Sequence, residues 1–139
     1  MGKSSLLLVT LIVFSATRVC AGDSLSDAQI KQELVGSWID PPNSTDYNPA
    51  SPYSLETFKP DGTYTYVEYG DASCHAIVNR AEVKWRIENG VLLTILSDRS
   101  QLRDEVLSIE NGIMTLRSLE DGTTYTREKA LTCSKAVGA

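Results

Sequence analysis

The tetrapeptide Ile-Glu-Asn-Gly occurs twice, at residues 87–90 and 109–112, each time between two apolar stretches. Asn-Gly and Asp-Gly favour tight hairpin turns, because those turns need positive φ angles that Asn, Asp and Gly tolerate. Two Asp-Gly pairs, at 61–62 and 121–122, bring the number of such sites to four. Segments rich in Val, Ile, Leu, Thr and Tyr flank each site, so the sequence predicts a chain of β-hairpins.

The spacing of these turns predicts eight strands and one helix. The helix is expected over residues 27–33, because Ser26 and Gln29 have the spacing of a capping box. The expected strands are 35–39, 54–59, 63–69, 81–88, 91–97, 104–110, 113–119 and 123–129.

Short turns alternate along the chain with three long connections, at residues 40–53, 70–80 and 98–103. In an up-and-down arrangement every second connection lies at the same end, which gives a tightly turned end and a loop end. Eight antiparallel strands with one apolar face can close into a barrel and so remove their exposed edges. The expected fold class is all-β, an eight-stranded antiparallel up-and-down barrel with a short N-terminal helix.

Residues 1–21 have the composition of a secretory signal peptide: a basic start, an apolar run and small residues up to Ala21. The apolar run is too short to span a bilayer. We therefore expect residues 22–139 to form a single domain that is secreted or periplasmic, with no stable membrane anchor. The alternative is a lipid anchor at Cys20, although Arg18 is unexpected so close to such a site.

Cleavage after Ala21 would remove two of the 13 basic residues, Lys3 and Arg18, and leave 11 against 18 acidic ones, a net charge of −7. A chain of this charge repels phosphate backbones, so nucleic acid is not an expected partner. Cys74 and Cys133 remain, and an even pair of cysteines in an exported chain predicts a disulfide.

No motif in the sequence points to catalysis, a cofactor or a metal. The one histidine, His75, adjoins Cys74, but neighbours on a strand point to opposite faces and Cys74 is expected in the disulfide. One histidine and two cysteines are too few for a usual four-ligand metal site. Asp104 and Glu105 open a predicted strand and are expected to be solvated. We therefore expect neither an enzyme nor a cofactor- or metal-binding protein.

The register at the turns predicts which side chains point into the barrel. Two-residue loops at the Ile-Glu-Asn-Gly turns place Trp85 opposite Thr94, and Leu107 opposite Leu116, on the inward face. The same treatment of the 121–122 turn places Leu116 opposite Arg127, so one inward charge is expected near the turned end.

We expect a ligand to contact the inward side chains. Both faces of the second and third strands are apolar, so the sequence does not decide which of them points inward. For Trp85, the alternative to ligand contact is packing in the core. The expected ligand-contacting residues are Leu55, Val67, Trp85, Thr94, Leu96, Leu107 and Tyr125.

Gly36 and Trp38, in the segment LVGSWI after the expected helix, resemble the Gly-x-Trp motif of the lipocalin-like proteins of the calycin superfamily. The resemblance extends over residues 30–133. It implies that Trp38 forms the barrel floor and that Arg127 packs over its ring. The family's middle motif has no clear counterpart. Four prolines between residues 40 and 53 argue against the two helices that fatty-acid-binding proteins carry there.

The resemblance implies an exported binding protein that takes a small apolar or amphipathic ligand through the loop end. The alternative is a protein-interaction or inhibitor module with a filled core, whose partner binds the long loops around Tyr47 and Tyr53. A cavity above about 300 Å³ would favour the first function, and a packed interior the second. An avidin-like barrel is a third possibility, but only Trp38 and Trp85 are available for its pocket.

Overall fold

A computed structural model describes residues 24–133 of the chain. Eight antiparallel strands close into a barrel in up-and-down order, so the predicted fold class is confirmed. The elements are α1 (Asp27–Leu34), β1 (Gly36–Ile39), β2 (Ser54–Phe58), β3 (Thr63–Tyr69), β4 (Ile77–Glu88), β5 (Val91–Ile95), β6 (Gln101–Glu110), β7 (Ile113–Ser118) and β8 (Thr124–Lys129).

The predicted signal peptide, residues 1–21, lies outside the described residues. Among residues 24–133, no helix is long and apolar enough to cross a membrane.

The two Ile-Glu-Asn-Gly segments form the β4–β5 and β6–β7 turns, as predicted. Asn89 and Asn111 both have a φ of 52°, and the glycines after them have φ values of 76° and 74°. Positive φ at both central residues gives a turn whose twist matches that of the flanking strands. The β4–β5 register is the predicted one, with Trp85 opposite Thr94.

Helix α1 closes the turned end of the barrel. Its Ile30 and Leu34 side chains join a buried cluster with Trp38, Trp85 and Met114. Burial of these large side chains supplies most of the hydrophobic stabilisation of this end, at about 1.5–3 kcal/mol for each aliphatic side chain.

Polar contacts fix the helix in this position. Ser26 and Gln29 form the predicted capping box at its start. The carboxylate of Asp27 accepts hydrogen bonds from the backbone N–H groups of Asn89 and Gly90, both at 2.8 Å. The helix is therefore attached to the β4–β5 turn by the otherwise unpaired amides of that turn.

A β-bulge in β6 changes the direction of one predicted ligand residue. Val106 pairs with Leu116 and Ser108 with Thr115, which leaves Leu107 as the extra residue. Its side chain is 44% exposed and lines a groove between α1 and β6. The prediction that Leu107 points into the barrel is wrong, because a bulge inserts one residue and reverses the alternation beyond it.

The β7–β8 turn is longer than predicted. Residues 119–122 form the loop, so Leu116 pairs with Tyr125 and Met114 with Arg127. The predicted pairing of Leu116 with Arg127 is wrong by two positions. A shift of two keeps every side chain on its face, so Tyr125 and Arg127 still point inward.

Two strands begin earlier than predicted. β4 begins at Ile77 rather than at residue 81, and β6 begins at Gln101 rather than at residue 104. Both additions extend the sheet toward the loop end. They place Asp104 within a strand and give β4 a first half that reaches beyond β5.

Cys74 and Cys133 form the predicted disulfide, between residues 59 positions apart in sequence. The bond ties the segment after β8 to the β3–β4 loop. In the chain-entropy description a crosslink of this span stabilises the folded state by about 4 kcal/mol.

The bulge can be tested with two neighbouring substitutions. Val106→Ala should lower the free energy of unfolding by about 1–2 kcal/mol, because Val106 packs against the core. Leu107→Ala should lower it by less than about 0.5 kcal/mol, because its side chain faces solvent. Urea denaturation of both variants makes the comparison, and a larger effect at Leu107 would contradict the register.

Candidate functional site

A cavity of about 230 Å³ lies inside the barrel, between the core cluster and the loop end. Its walls are mainly aliphatic and aromatic, and Leu92, Leu96, Leu102 and Leu116 all contribute to them. Side chains with polar or charged groups also face the space. These are Glu56, Tyr64, Tyr66, Thr94, Asp104, Tyr125 and Arg127.

The structure places three predicted ligand residues at this cavity: Thr94, Leu96 and Tyr125. Leu55 and Val67 pair with each other on the opposite face of β2 and β3 and do not line it. Both faces of this hairpin are apolar, so alternation alone could not decide which one turns inward.

Trp85 belongs to the floor rather than to the cavity wall. It is 3% exposed, and its ring meets the ring of Phe58 edge-on with the centroids 5.3 Å apart. Its Nε1 donates a hydrogen bond to the carbonyl oxygen of Lys59 at 3.1 Å. The alternative role in the core is therefore the one observed.

Trp38 is fully buried in the floor, and its Nε1 donates to the Leu34 carbonyl oxygen at 2.8 Å. The cation over its ring is Lys129, whose Nζ lies 5.2 Å from the centroid, and not the predicted Arg127. Lys129 pairs directly with Trp38, whereas Arg127 lies two residues nearer the loop end. Gly36 has a φ of 130°, and a Cβ there would lie 3.3 Å from Lys129 Cε.

The Arg127 guanidinium lies among three carboxylates inside the barrel. Its Nε donates to Glu56 at 2.8 Å, and its two terminal nitrogens donate to Asp46 at 3.0 and 2.7 Å. Asp40 accepts a further bond from Nη1 at 3.1 Å. Because Arg127 is only 9% exposed, these partners take the place of water around its charge.

The three carboxylates do not share this cation equally. Burial alone would lower the pKa of Arg127, but the charges of Glu56, Asp46 and Asp40 outweigh it and raise the pKa. Burial raises the pKa of Asp40 to about 6, against the opposing effect of Arg127. Burial acts likewise on Asp46, but hydrogen bonds from Arg127 and Ser44 lower its pKa overall. Asp40 is therefore less well compensated than Asp46.

Asp104 and Tyr125 form a second polar group on the cavity wall. Burial raises the pKa of Asp104, although a hydrogen bond with Tyr125 and the charge of Arg127 act to lower it. The Tyr125 ring also contacts the guanidinium, with Arg127 Cζ 4.6 Å from its centroid. The expectation that Asp104 is solvated is wrong, because the bulge at Leu107 reverses the predicted alternation and places Asp104 on the inward face of β6.

The long β1–β2 loop, residues 40–53, is attached to β8 at the loop end. The backbone N–H of Thr126 donates to Ser44 Oγ at 3.0 Å, and the Thr45 hydroxyl donates to the Thr124 carbonyl oxygen. The ion pair between Asp46 and the guanidinium adds a third contact. Polar contacts thus hold this loop against the barrel wall next to the cavity.

Sequence reasoning missed the acidic residues of the site. Glu56 and Asp104 were detectable in principle, since each lies two residues from an apolar residue of its strand and therefore on the same face as that residue. Asp40 and Asp46 come from a loop, where alternation carries no information. Within residues 24–133, no group of three or more His, Cys, Asp and Glu residues is arranged to hold a metal.

Comparison with family models, with curated proteins and with solved structures finds no match to this chain. The site is therefore interpreted from its own geometry.

Asp40→Asn should change how stability depends on pH. The folded-state pKa of about 6 exceeds the ordinary 3.8, so the folded state binds the extra proton, and stability contributed by this group falls as pH rises between these values. The variant should be more stable than the wild type at pH 8 by about 1–2 kcal/mol, after discounting for partial exposure. Urea denaturation at pH 4, 6 and 8 measures the difference.

Asp46→Asn is the matched control in the same network. Its lowered pKa means that the ionised form stabilises the fold above pH 4, so this variant should be less stable than the wild type at pH 8. The same sign of effect for both variants at pH 8 would contradict the assignment of Asp40 as the poorly compensated carboxylate.

Proposed function

We propose that the chain is an exported lipocalin-like binding protein that holds a small amphipathic ligand in the barrel, and that it is not an enzyme. The observation that carries the proposal is the cavity of about 230 Å³, which joins aliphatic walls to a polar group at one side. Binding would come from desolvation of the ligand's apolar part in a largely preformed space, with the polar group fixing its orientation.

The volume limits the size of the ligand. Pockets for drug-sized ligands occupy about 300–1,000 Å³, and this cavity is below that range. It is also below the volume of about 300 Å³ above which the interior alone would favour ligand binding over the interaction module, although the interior is not fully packed either. A long lipid chain would exceed the space. A ligand with a short apolar part fits the walls around Leu96 and Leu102.

The charges at the cavity favour a hydrogen-bond donor as the polar end of the ligand. Arg127 already donates to three carboxylates, so an anionic ligand would compete with partners built into the fold. Asp104 and Tyr125 lie nearby, and a carboxylate accepts hydrogen bonds from hydroxyl or ammonium groups. An amine or an alcohol therefore suits the site better than a carboxylate.

Two features support the lipocalin-like assignment and export. Trp38, after the helix, lies in the floor with a cation from the last strand over its ring, as in the proposed family, although here that cation is Lys129. The disulfide is typical of proteins that fold in an oxidising compartment. The alternative interaction module stays a prediction. Tyr47 and Tyr53, which would serve it, are both half-buried.

Hexylamine, hexanol and heptanoate, which carry the same hexyl chain and differ only in the head group, test this proposal. Calorimetric titration of the secreted protein should show binding of hexylamine and hexanol, and much weaker binding of heptanoate. Equal binding of all three would refute the donor preference. Binding of none, together with no retained ligand in native mass spectrometry of protein from its source, would refute the binding function.

Two tryptophan substitutions at the end of β5, at its last residue and at the residue that follows it, provide the control. Leu96→Trp should fill the cavity and abolish binding, because Leu96 lines the space. Ile95→Trp adds the same bulk at the preceding residue, which points to the opposite face, and should leave binding unchanged. Loss of binding in both variants would show that the probe does not occupy the cavity.

A further inference from the structure

The first half of β4 has a free edge. On one side residues 77–84 pair with β3, but on the other side β5 pairs only with residues 84–88. The N–H of Trp85 points to β3, where it bonds to the Gly62 carbonyl oxygen. By alternation, the backbone groups of Arg80 and Glu82 point away from β3, toward the unpaired side.

This edge is open over the part of the chain that the structure describes. All six side chains from residue 77 to residue 82 are exposed, including the large apolar Ile77 and Val78 at 56% and 66%. An exposed strand edge with unpaired backbone groups is a template for another strand. Proteins usually protect such edges, so a strand that extends past its neighbour with apolar residues at its end indicates a partner.

We propose that a second copy of this chain pairs with the β4 edge, antiparallel and around a two-fold axis at Ala81. This register places Arg80 of one copy opposite Glu82 of the other, and the symmetry repeats the pair on the other side of the axis. Both residues have edge-directed backbone groups, so each pair also exchanges two backbone hydrogen bonds.

Charge complementarity selects this register among the possible ones. An axis on Arg80 or on Glu82 would place like charges directly opposite, which destabilises cross-strand pairs. An axis on Asn79 would leave Arg80 opposite Val78. An axis on Val83 would place Glu82 opposite Lys84, whose edge Ile95 already occupies. With the axis on Ala81, both pairs of Arg80 and Glu82 stay clear of that edge, and the new pairing ends before Val78 reaches Lys84.

Ala81, the residue on the axis, is small enough for the two copies of β4 to approach each other closely at this position. Opposed residues that are not hydrogen-bonded have Cα atoms about 4.5 Å apart, and Ala81 brings only a methyl group to that position. Within one copy the Arg80 and Glu82 side chains are 3.8 Å apart and more than half exposed. Their charges are therefore available to a facing strand.

Charge-reversal variants of the secreted protein test the proposal. Sedimentation velocity measures association at protein concentrations up to about 1 mM, where even a weak dimer is detectable. The wild type should form a dimer. Arg80→Glu faces acids with acids, and Glu82→Arg faces bases with bases, so each should raise the dissociation constant by about tenfold or more. An equimolar mixture of the two variants should restore the dimer, since every facing pair is then opposite in sign.

Arg86→Glu is the matched control. Arg86 also pairs with a glutamate two residues away on the same strand, at similar exposure, but β5 occupies that part of the edge. This variant should associate like the wild type.

A wild type that stays monomeric throughout the concentration range would overturn the proposal. A dimer that Arg80→Glu and Glu82→Arg leave intact would also overturn it, since another surface must then be responsible. Hydrogen exchange on the monomer gives an independent reading. If the amides of Arg80 and Glu82 are already protected there, another segment of the same chain covers the edge. The dimer test does not depend on ligand binding, so each proposal can fail alone.

Discussion

A buried guanidinium must be surrounded by acceptors, and this requirement organises the loop end of the barrel. Arg127 comes from the last strand, and its three carboxylate partners come from β2 and from the β1–β2 loop. Removing the guanidinium would leave its carboxylate partners uncompensated, and loss of one partner of a buried ion pair typically costs about 3–5 kcal/mol. One side chain therefore connects the closing strand, the second strand and the long loop, and it keeps the interior beside it polar.

The two ends of the barrel are stabilised by different physics. At the turned end, helix α1 and two indoles fill the space with apolar groups, and water is excluded. Toward the loop end, the interior holds charged side chains, which need hydrogen-bonding partners in a specific geometry and cannot pack as an apolar core does. The cavity lies where these two kinds of packing meet. A barrel of eight strands can be filled by side chains or hold one small ligand, and here a space of about 230 Å³ stays open beside the charges.

The sequence was sufficient for the fold because turn chemistry is local. Asn89-Gly90 and Asn111-Gly112 determine hairpins whatever surrounds them. The error at the β7–β8 turn was harmless, since a shift of two residues preserves the inward face, whereas the single extra residue at Leu107 reversed it. The site was less predictable, because Asp40 and Asp46 reach Arg127 only through the path of a loop in three dimensions.

Alternation along β4 lets one strand serve two purposes. The inward side chains of Ala81 and Val83 form part of the cavity wall, while Arg80 and Glu82 point outward with their backbone groups at the free edge. At the turned end, β4 pairs with both β3 and β5. Because β4 extends beyond β5 toward the loop end, its first half pairs with β3 only. A second strand at that edge would extend the sheet beside the cavity through backbone hydrogen bonds and the outward side chains of Arg80 and Glu82. The overhang of β4 thus links the geometry of the cavity to that of the proposed dimer.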